Sequence, residues 1–105
     1  MPTKKEFTSF EDMIEGSELP VLVDFYATWC GPCQMMAKIL VQVNAAMKEQ
    51  LQIVKVDTDR YPEIATQNQI HALPTLVLFK QGKPVDRIEG VLTADELIPR
   101  LRSHI

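Results

Sequence analysis

The most apolar stretch in the first half of the chain, Val21-Leu22-Val23-Asp24-Phe25-Tyr26, is rich in β-branched and aromatic residues and reads as a strand buried on both faces. Alternation along it places Leu22, Asp24 and Tyr26 on one face and Val21, Val23, Phe25 and Ala27 on the other. Before it, Lys4 to Phe7 is compatible with a short edge strand. Thr8 followed by Glu11 fits a capping box, with Phe10, Met13 and Ile14 as the apolar face of a helix that Gly16 stops. After it, Met36, Ala37, Leu40, Val43 and Met47 recur at helical spacing as far as about Glu49, with no proline between Cys33 and Lys48.

Leu51 to Val56 reads as the next buried strand, ending at Asp57, and Asp59 and Pro62 mark a short helix to about Asn68. Ile70 to Leu73 is a loop, and Thr75 to Phe79 a strand. Gln81-Gly82 turns the chain, and Val85 to Glu89 returns as a hairpin partner. Thr93 and Glu96 form a capping box ahead of Leu97, Ile98 and Leu101, and Pro99 inside that helix predicts a kink, because it opposes the carbonyl of Asp95. From Val21 onward the order is β-α-β-α-β-β-α. It implies an α/β fold with a central mixed sheet covered by helices on both faces.

Composition narrows the function more than the fold. At 105 residues the chain has the size of one domain, and a chain of this size buries roughly 60–70% of its unfolded surface. The net charge of −3 argues against nucleic acid or an anionic membrane as the main partner. Neither an apolar signal region nor a run long enough to span a membrane is present, so the expectation is a cytoplasmic protein, with a mature plastid stroma protein as the alternative.

Both cysteines lie in one C-x-x-C, Cys30 and Cys33, at the junction of the apolar strand and the long helix. Pro32 suits the first turn of a helix, so Cys30 falls beside the unpaired N–H groups of a helix N-terminus, whose partial positive charge favours a thiolate. A second sulfur three residues on makes the pair a candidate disulfide-exchange device. Its rival is half of a metal site, but a closed zinc site needs about four ligands, and His71 and His104 add no spaced pair. The expectation is therefore no metal. Asp24, inside an apolar strand, is the other unusual group, since a buried carboxylate titrates high enough to accept protons near neutral pH. No Gly-rich dinucleotide fingerprint is present, so no cofactor is expected and electrons come from a partner.

Trp29-Cys30-Gly31-Pro32-Cys33, with the Asp24-bearing strand, Ala72-Leu73-Pro74-Thr75, Phe79-Lys80-Gln81-Gly82 and Glu89-Gly90-Val91, resembles the thioredoxin family over essentially the whole chain. C-x-x-C beside a βαβ pattern is the defining signature of that family. Asp24 to Trp29, Gln34-Met35-Met36 and Asp86 to Gly90 look most like the y-type thioredoxins of plastids and cyanobacteria. The resemblance implies the thioredoxin fold and a protein-disulfide reductase with Cys30 as nucleophile and Cys33 as resolving thiol. It also implies that Asp24 helps deprotonate Cys33, that Lys55 is the partner of Asp24, and that Leu73-Pro74 is a cis bond packed against the disulfide. Trp29, Gly31, Pro32, Leu73, Pro74, Gly90 and Val91 then form the rim that meets substrate. The implied partners are disulfide-containing clients, peroxiredoxins or methionine sulfoxide reductases among them, and an NADPH- or ferredoxin-linked thioredoxin reductase, with the chain itself a monomer. Two other classes stay open at this point: a thioredoxin-fold binding module whose thiols are incidental, and a thiol oxidase or isomerase.

Overall fold

The computed structural model describes residues 9–105. Its elements are α1 (Phe10–Gly16), β1 (Val21–Tyr26), α2 (Gly31–Met47), β2 (Gln52–Asp57), α3 (Pro62–Gln67), β3 (Thr75–Lys80), β4 (Lys83–Glu89) and α4 (Ala94–Arg102). The four strands form one mixed sheet in the order β2-β1-β3-β4. β1 runs parallel to β2 and antiparallel to β3, and β3 pairs antiparallel with β4. The expected strand at Lys4 to Phe7, and Thr8, lie outside the described residues.

The period-two alternation of β1 decides which helices cover which face. Leu22 joins Met36, Leu40, Val43 and Met47 of α2 and Leu97 and Leu101 of α4 in one apolar cluster. Val21, Val23 and Phe25 join Val77 and Phe79 of β3 in a second cluster under Ile14 of α1, with Ile64 of α3 packed against it. Phe10 adds an edge contact to Phe79, their ring centroids 5.9 Å apart. Asp24, on the Leu22 face, is thereby placed under α2.

Local chemistry explains most boundaries and corrects several expectations. Ser9 caps α1, its side chain accepting from the Asp12 N–H, so the cap falls one residue after the expected Thr8. α3 takes Tyr61 as its N-cap without a side-chain bond. Asp57 rather than Asp59 organises the turn before it, its Oδ1 accepting from the Asp59 N–H at 3.0 Å. β2 is an outer strand of the described sheet rather than a fully buried one, which leaves Gln52 and Lys55 exposed. The β3–β4 turn has both central residues left-handed, Gln81 at φ +54° and Gly82 at φ +80°. That suits the twist of a two-residue hairpin. β4 begins two residues earlier than expected and tolerates Pro84 because it is an edge strand with a register shift beside it.

α4 continues through Pro99 to Arg102, and its capping box closes in both directions between Thr93 and Glu96. Thr93→Ala is expected to lower the unfolding free energy by about 1 kcal/mol in a urea titration. Arg100 of this helix makes a two-pronged contact with Asp86 of β4 at 2.8 and 2.9 Å. That guanidinium, more than any other neighbour, holds the Asp86 carboxyl below the usual range.

Candidate active site

Cys30 is itself the N-cap of α2. Its backbone is extended, at φ −89° and ψ 113°, helical geometry begins at Gly31, and Pro32 occupies the first turn. The Cys33 N–H donates to Cys30 Sγ at 3.2 Å, the bond an N-cap serine or aspartate oxygen would accept. The sulfur thus sits at the positive end of a 17-residue helix with an N–H directed at it, a setting that favours the thiolate when the pair is reduced. Cys30 and Cys33 are joined in a disulfide, with Cα atoms 5.2 Å apart.

Both cysteines are buried, Cys30 at 5% exposed and Cys33 at 4%, so exposure does not separate the sulfur before the helix from the one a turn later. What separates them is the cavity each one faces. Cys30 lines an open groove of about 500 Å³. One wall of this groove is Trp29, Gly31 and Pro32; the other is the loop Ile70-His71-Ala72-Leu73. Cys33 lines a separate cavity of about 240 Å³ shared with Asp24, Thr28, Gln34 and Lys55. A groove open to solvent suits an incoming disulfide; a smaller cavity with the Asp24 carboxyl in its lining suits a proton acceptor.

Asp24 is 1% exposed, and its Oδ1 has no hydrogen-bond partner among the described residues. Burial pushes its pKa up to about 6, with the charge of Lys55 acting in the opposite direction. Lys55 is directly opposite Asp24 in the β1–β2 register. The expected pair is therefore brought together, with the lysine at the outer strand where its ammonium stays hydrated.

The rest of the predicted rim divides. Trp29 is 71% exposed and held by its indole N–H, which donates to Asp59 Oδ2 at 2.8 Å. Leu73-Pro74 is cis. Leu73 packs against the Ala27–Cys30–Cys33 cluster. The Gly90 N–H donates to the Pro74 carbonyl at 2.9 Å. Gly90 adopts φ +86°, a left-handed backbone that a side chain disfavours, while the space a Cβ would occupy is open. Val91 instead packs against the α2–α4 core, so it belongs to the support of the rim more than to its surface.

Two further contacts beside the groove are not legible in the sequence. Asp59 reads in the sequence as a helix start, yet it anchors Trp29 thirty residues away. Thr58 lines the groove, and its hydroxyl donates to the Tyr26 carbonyl at 3.1 Å. No local pattern announces either contact, because both are made across the sheet by residues after β2. Among the described residues, no three His, Cys, Asp or Glu side chains converge as a metal site would require. No helix there is long and apolar enough to cross a membrane.

Comparison with known proteins matches this arrangement. The thioredoxin family model matches residues 2–103. A thioredoxin-like protein of Synechocystis is 64% identical over 105 residues, covering all of both chains. Thioredoxin Y1, chloroplastic, of Arabidopsis thaliana is 54% identical over 102 residues, 97% of this chain and 59% of its own length. Thioredoxin Y, chloroplastic, of rice is 53% identical over 102 residues, with 61% of its length covered. The chain thus spans all of the Synechocystis protein and about three fifths of the two chloroplastic ones.

Proposed function

The chain belongs to the thioredoxin family of thiol–disulfide oxidoreductases, and from that premise we propose how its residues divide the work of reducing a protein disulfide. The observation that carries the reading is the position of the two sulfurs, side by side at one helix N-terminus but facing different cavities. The Cys30 thiolate attacks one sulfur of a client disulfide lying in the groove, forming a Cys30–client bond and releasing the other client sulfur as a thiolate. Cys33 loses its proton to Asp24 through water in the shared cavity. Its thiolate then attacks Cys30 Sγ, and the second client sulfur leaves. Two electrons pass to the client, and Cys30 and Cys33 end as a disulfide. A separate reductase, NADPH- or ferredoxin-linked, must reopen it by the reverse exchange.

Lys55 tunes this step by favouring the ionised form of Asp24, so that the carboxylate is available near neutral pH. Trp29, Gly31, Pro32, Leu73, Pro74 and Gly90 form the contact surface, and the backbone beside Leu73 pairs with an extended client segment in the manner of strand addition. The chain works as a single monomeric domain in a reducing compartment, the cytoplasm or the plastid stroma. Similarity to the y-type proteins favours peroxiredoxins and methionine sulfoxide reductases as clients.

The test is insulin reduction driven by dithiothreitol. The wild type is expected to accelerate it, while Cys33→Ser, reduced and then mixed with insulin after the dithiothreitol is removed, stalls after one attack and is recovered as a covalent adduct with an insulin chain. Absence of acceleration by folded, reduced wild type overturns the reading.

A further inference from the structure

Consecutive residues of β4 point to opposite faces of the sheet and fasten to different helices. Asp86 reaches Arg100 of α4 on one face. Arg87 lies opposite Val77 in the β3–β4 register, on the face covered by α1 and α3. There its guanidinium donates to the carbonyls of both Asn68 and Gln69, the latter at 3.2 Å. These two carbonyls belong to the peptide groups on either side of the Gln69 Cα. Gln69 is left-handed, at φ +55°, a conformation that is uncommon for a residue with a side chain. A planar fork that grips both flanking peptides holds the two backbone angles of the residue between them.

Immediately after Gln69 the chain forms the far wall of the groove. The Ile70 N–H donates back to the Ala65 carbonyl at 3.0 Å, and Ile70, His71, Ala72 and Leu73 then run past Cys30. At its other end this segment is anchored by Thr75, whose hydroxyl donates to the Ala72 carbonyl at 2.7 Å. The direction in which the loop leaves α3 therefore depends on Gln69, whose left-handed cap is closed by its own N–H donating to the Thr66 carbonyl at 3.0 Å together with the Ile70 bond, and Arg87 reaches over from β4 to clamp that cap from outside. A solvated charge on an edge strand is the ordinary role for such an arginine. A bond to each of two successive carbonyls around a left-handed residue is not what that role requires.

We infer that Arg87 is a positioning residue of the client groove: by clamping the two peptides around Gln69 it holds the Ile70–Leu73 wall in place for a protein disulfide. The inference rests on the disulfide-reductase reading above and adds the element that sets how tightly a protein client is held. It predicts a division between substrates. A folded or extended polypeptide needs the wall, whereas a small disulfide needs only access to Cys30.

The experiment compares wild type, Arg87→Ala and Arg87→Lys with two substrates, insulin and oxidised glutathione, together with amide hydrogen exchange. Arg87→Ala is expected to raise KM for insulin about fivefold while kcat, and the rate with oxidised glutathione, stay within about twofold. Exchange at the Ile70 amide should rise about tenfold, with β1 and α4 unaffected. Arg87→Lys should recover part of both effects, because an ammonium near a helix C-terminus still donates to carbonyls. An unchanged insulin KM overturns the inference. So does an equal fall with both substrates, which would mark a general structural role, and so does unchanged exchange at Ile70. Failure of wild type itself on both substrates would count against the reductase reading, and the exchange measurement would still judge the clamp.

Discussion

Cys30→Ser is expected to reduce turnover of protein disulfides to the background of the dithiothreitol that drives the assay, a loss of at least about a thousandfold. A serine hydroxyl at neutral pH is essentially un-ionised and makes no bond to sulfur that a second thiol could exchange. The helix N-terminus and the Cys33 N–H that favour a thiolate at this position cannot bring an alcohol into the range where it reacts. The remaining thiol, Cys33, faces the Asp24 cavity rather than the groove, so it cannot take over the attack. The variant should fold normally, since an N-cap serine accepts the same N–H bond that Cys30 Sγ does. Initial rates with insulin, with circular dichroism as the folding control, check this. Appreciable turnover by Cys30→Ser would show that Cys33 is the nucleophile and reverse the two roles.

Asp24→Asn should make the protein more stable and, at the same time, slower. The folded-state pKa of Asp24 is raised from 3.8 to about 6, so the native protein holds this proton more tightly than the unfolded chain does. The contribution of neutral Asp24 is fully present below about pH 4 and is lost as pH rises through about 6; above that the native state carries a buried charge. The size of the loss is roughly 3 kcal/mol. The amide introduced by Asp24→Asn never ionises, and even after the cost of burying its extra donors the variant should be about 2 kcal/mol more stable than wild type at pH 8. Near pH 4, where the burial of a charge no longer counts against the wild type, the order should reverse and leave the variant about 1 kcal/mol the less stable. Asp86 acts with the opposite sign: Arg100 lowers its folded pKa, so its contribution is present above the unfolded value and falls away only in acid. The upper window therefore reports on Asp24. Urea titrations of both proteins at about pH 4.5 and 8 measure it, and an equal pH slope in the two would remove the buried-charge account. Release of client from the mixed disulfide should slow by about a hundredfold near neutral pH, the scale of a lost general base. A release rate identical to wild type would leave Asp24 a role in stability alone.

Sequence pattern resolved the elements whose causes are local. Strand β1 alternates as the two apolar clusters require, Thr93 and Glu96 close a capping box, and Gln81-Gly82 makes the tight hairpin turn. It did less well where two local signals compete. Thr8 and Ser9 both suit an N-cap, and Asp57 and Asp59 both suit the turn before α3; choosing between them depends on where the chain arrives from the sheet. The apolar content of β2 suggested burial on both faces. Its strand order leaves it on the outside of the described sheet, and that order is a long-range pairing no window of residues contains.

The candidate site divides along the same line. That Cys30 and Cys33 form an exchange pair at a helix N-terminus, and that Asp24 is out of place in an apolar strand, could be read from the sequence alone, since spacing along the chain sets both. The sequence also singles out Cys30 by its place at the helix N-terminus, but it does not show that the two sulfurs are buried alike and differ in the cavity each lines, Cys30 the groove and Cys33 the Asp24 cavity. The bond from Trp29 to Asp59, the bond from Arg100 to Asp86 and the Arg87 clamp on Asn68 and Gln69 are likewise products of tertiary structure. Each joins polar side chains to groups far away in the sequence. Hydrophobic periodicity reports which face of an element is buried, but a polar side chain at the surface finds its partner only after the sheet has set the distance between them.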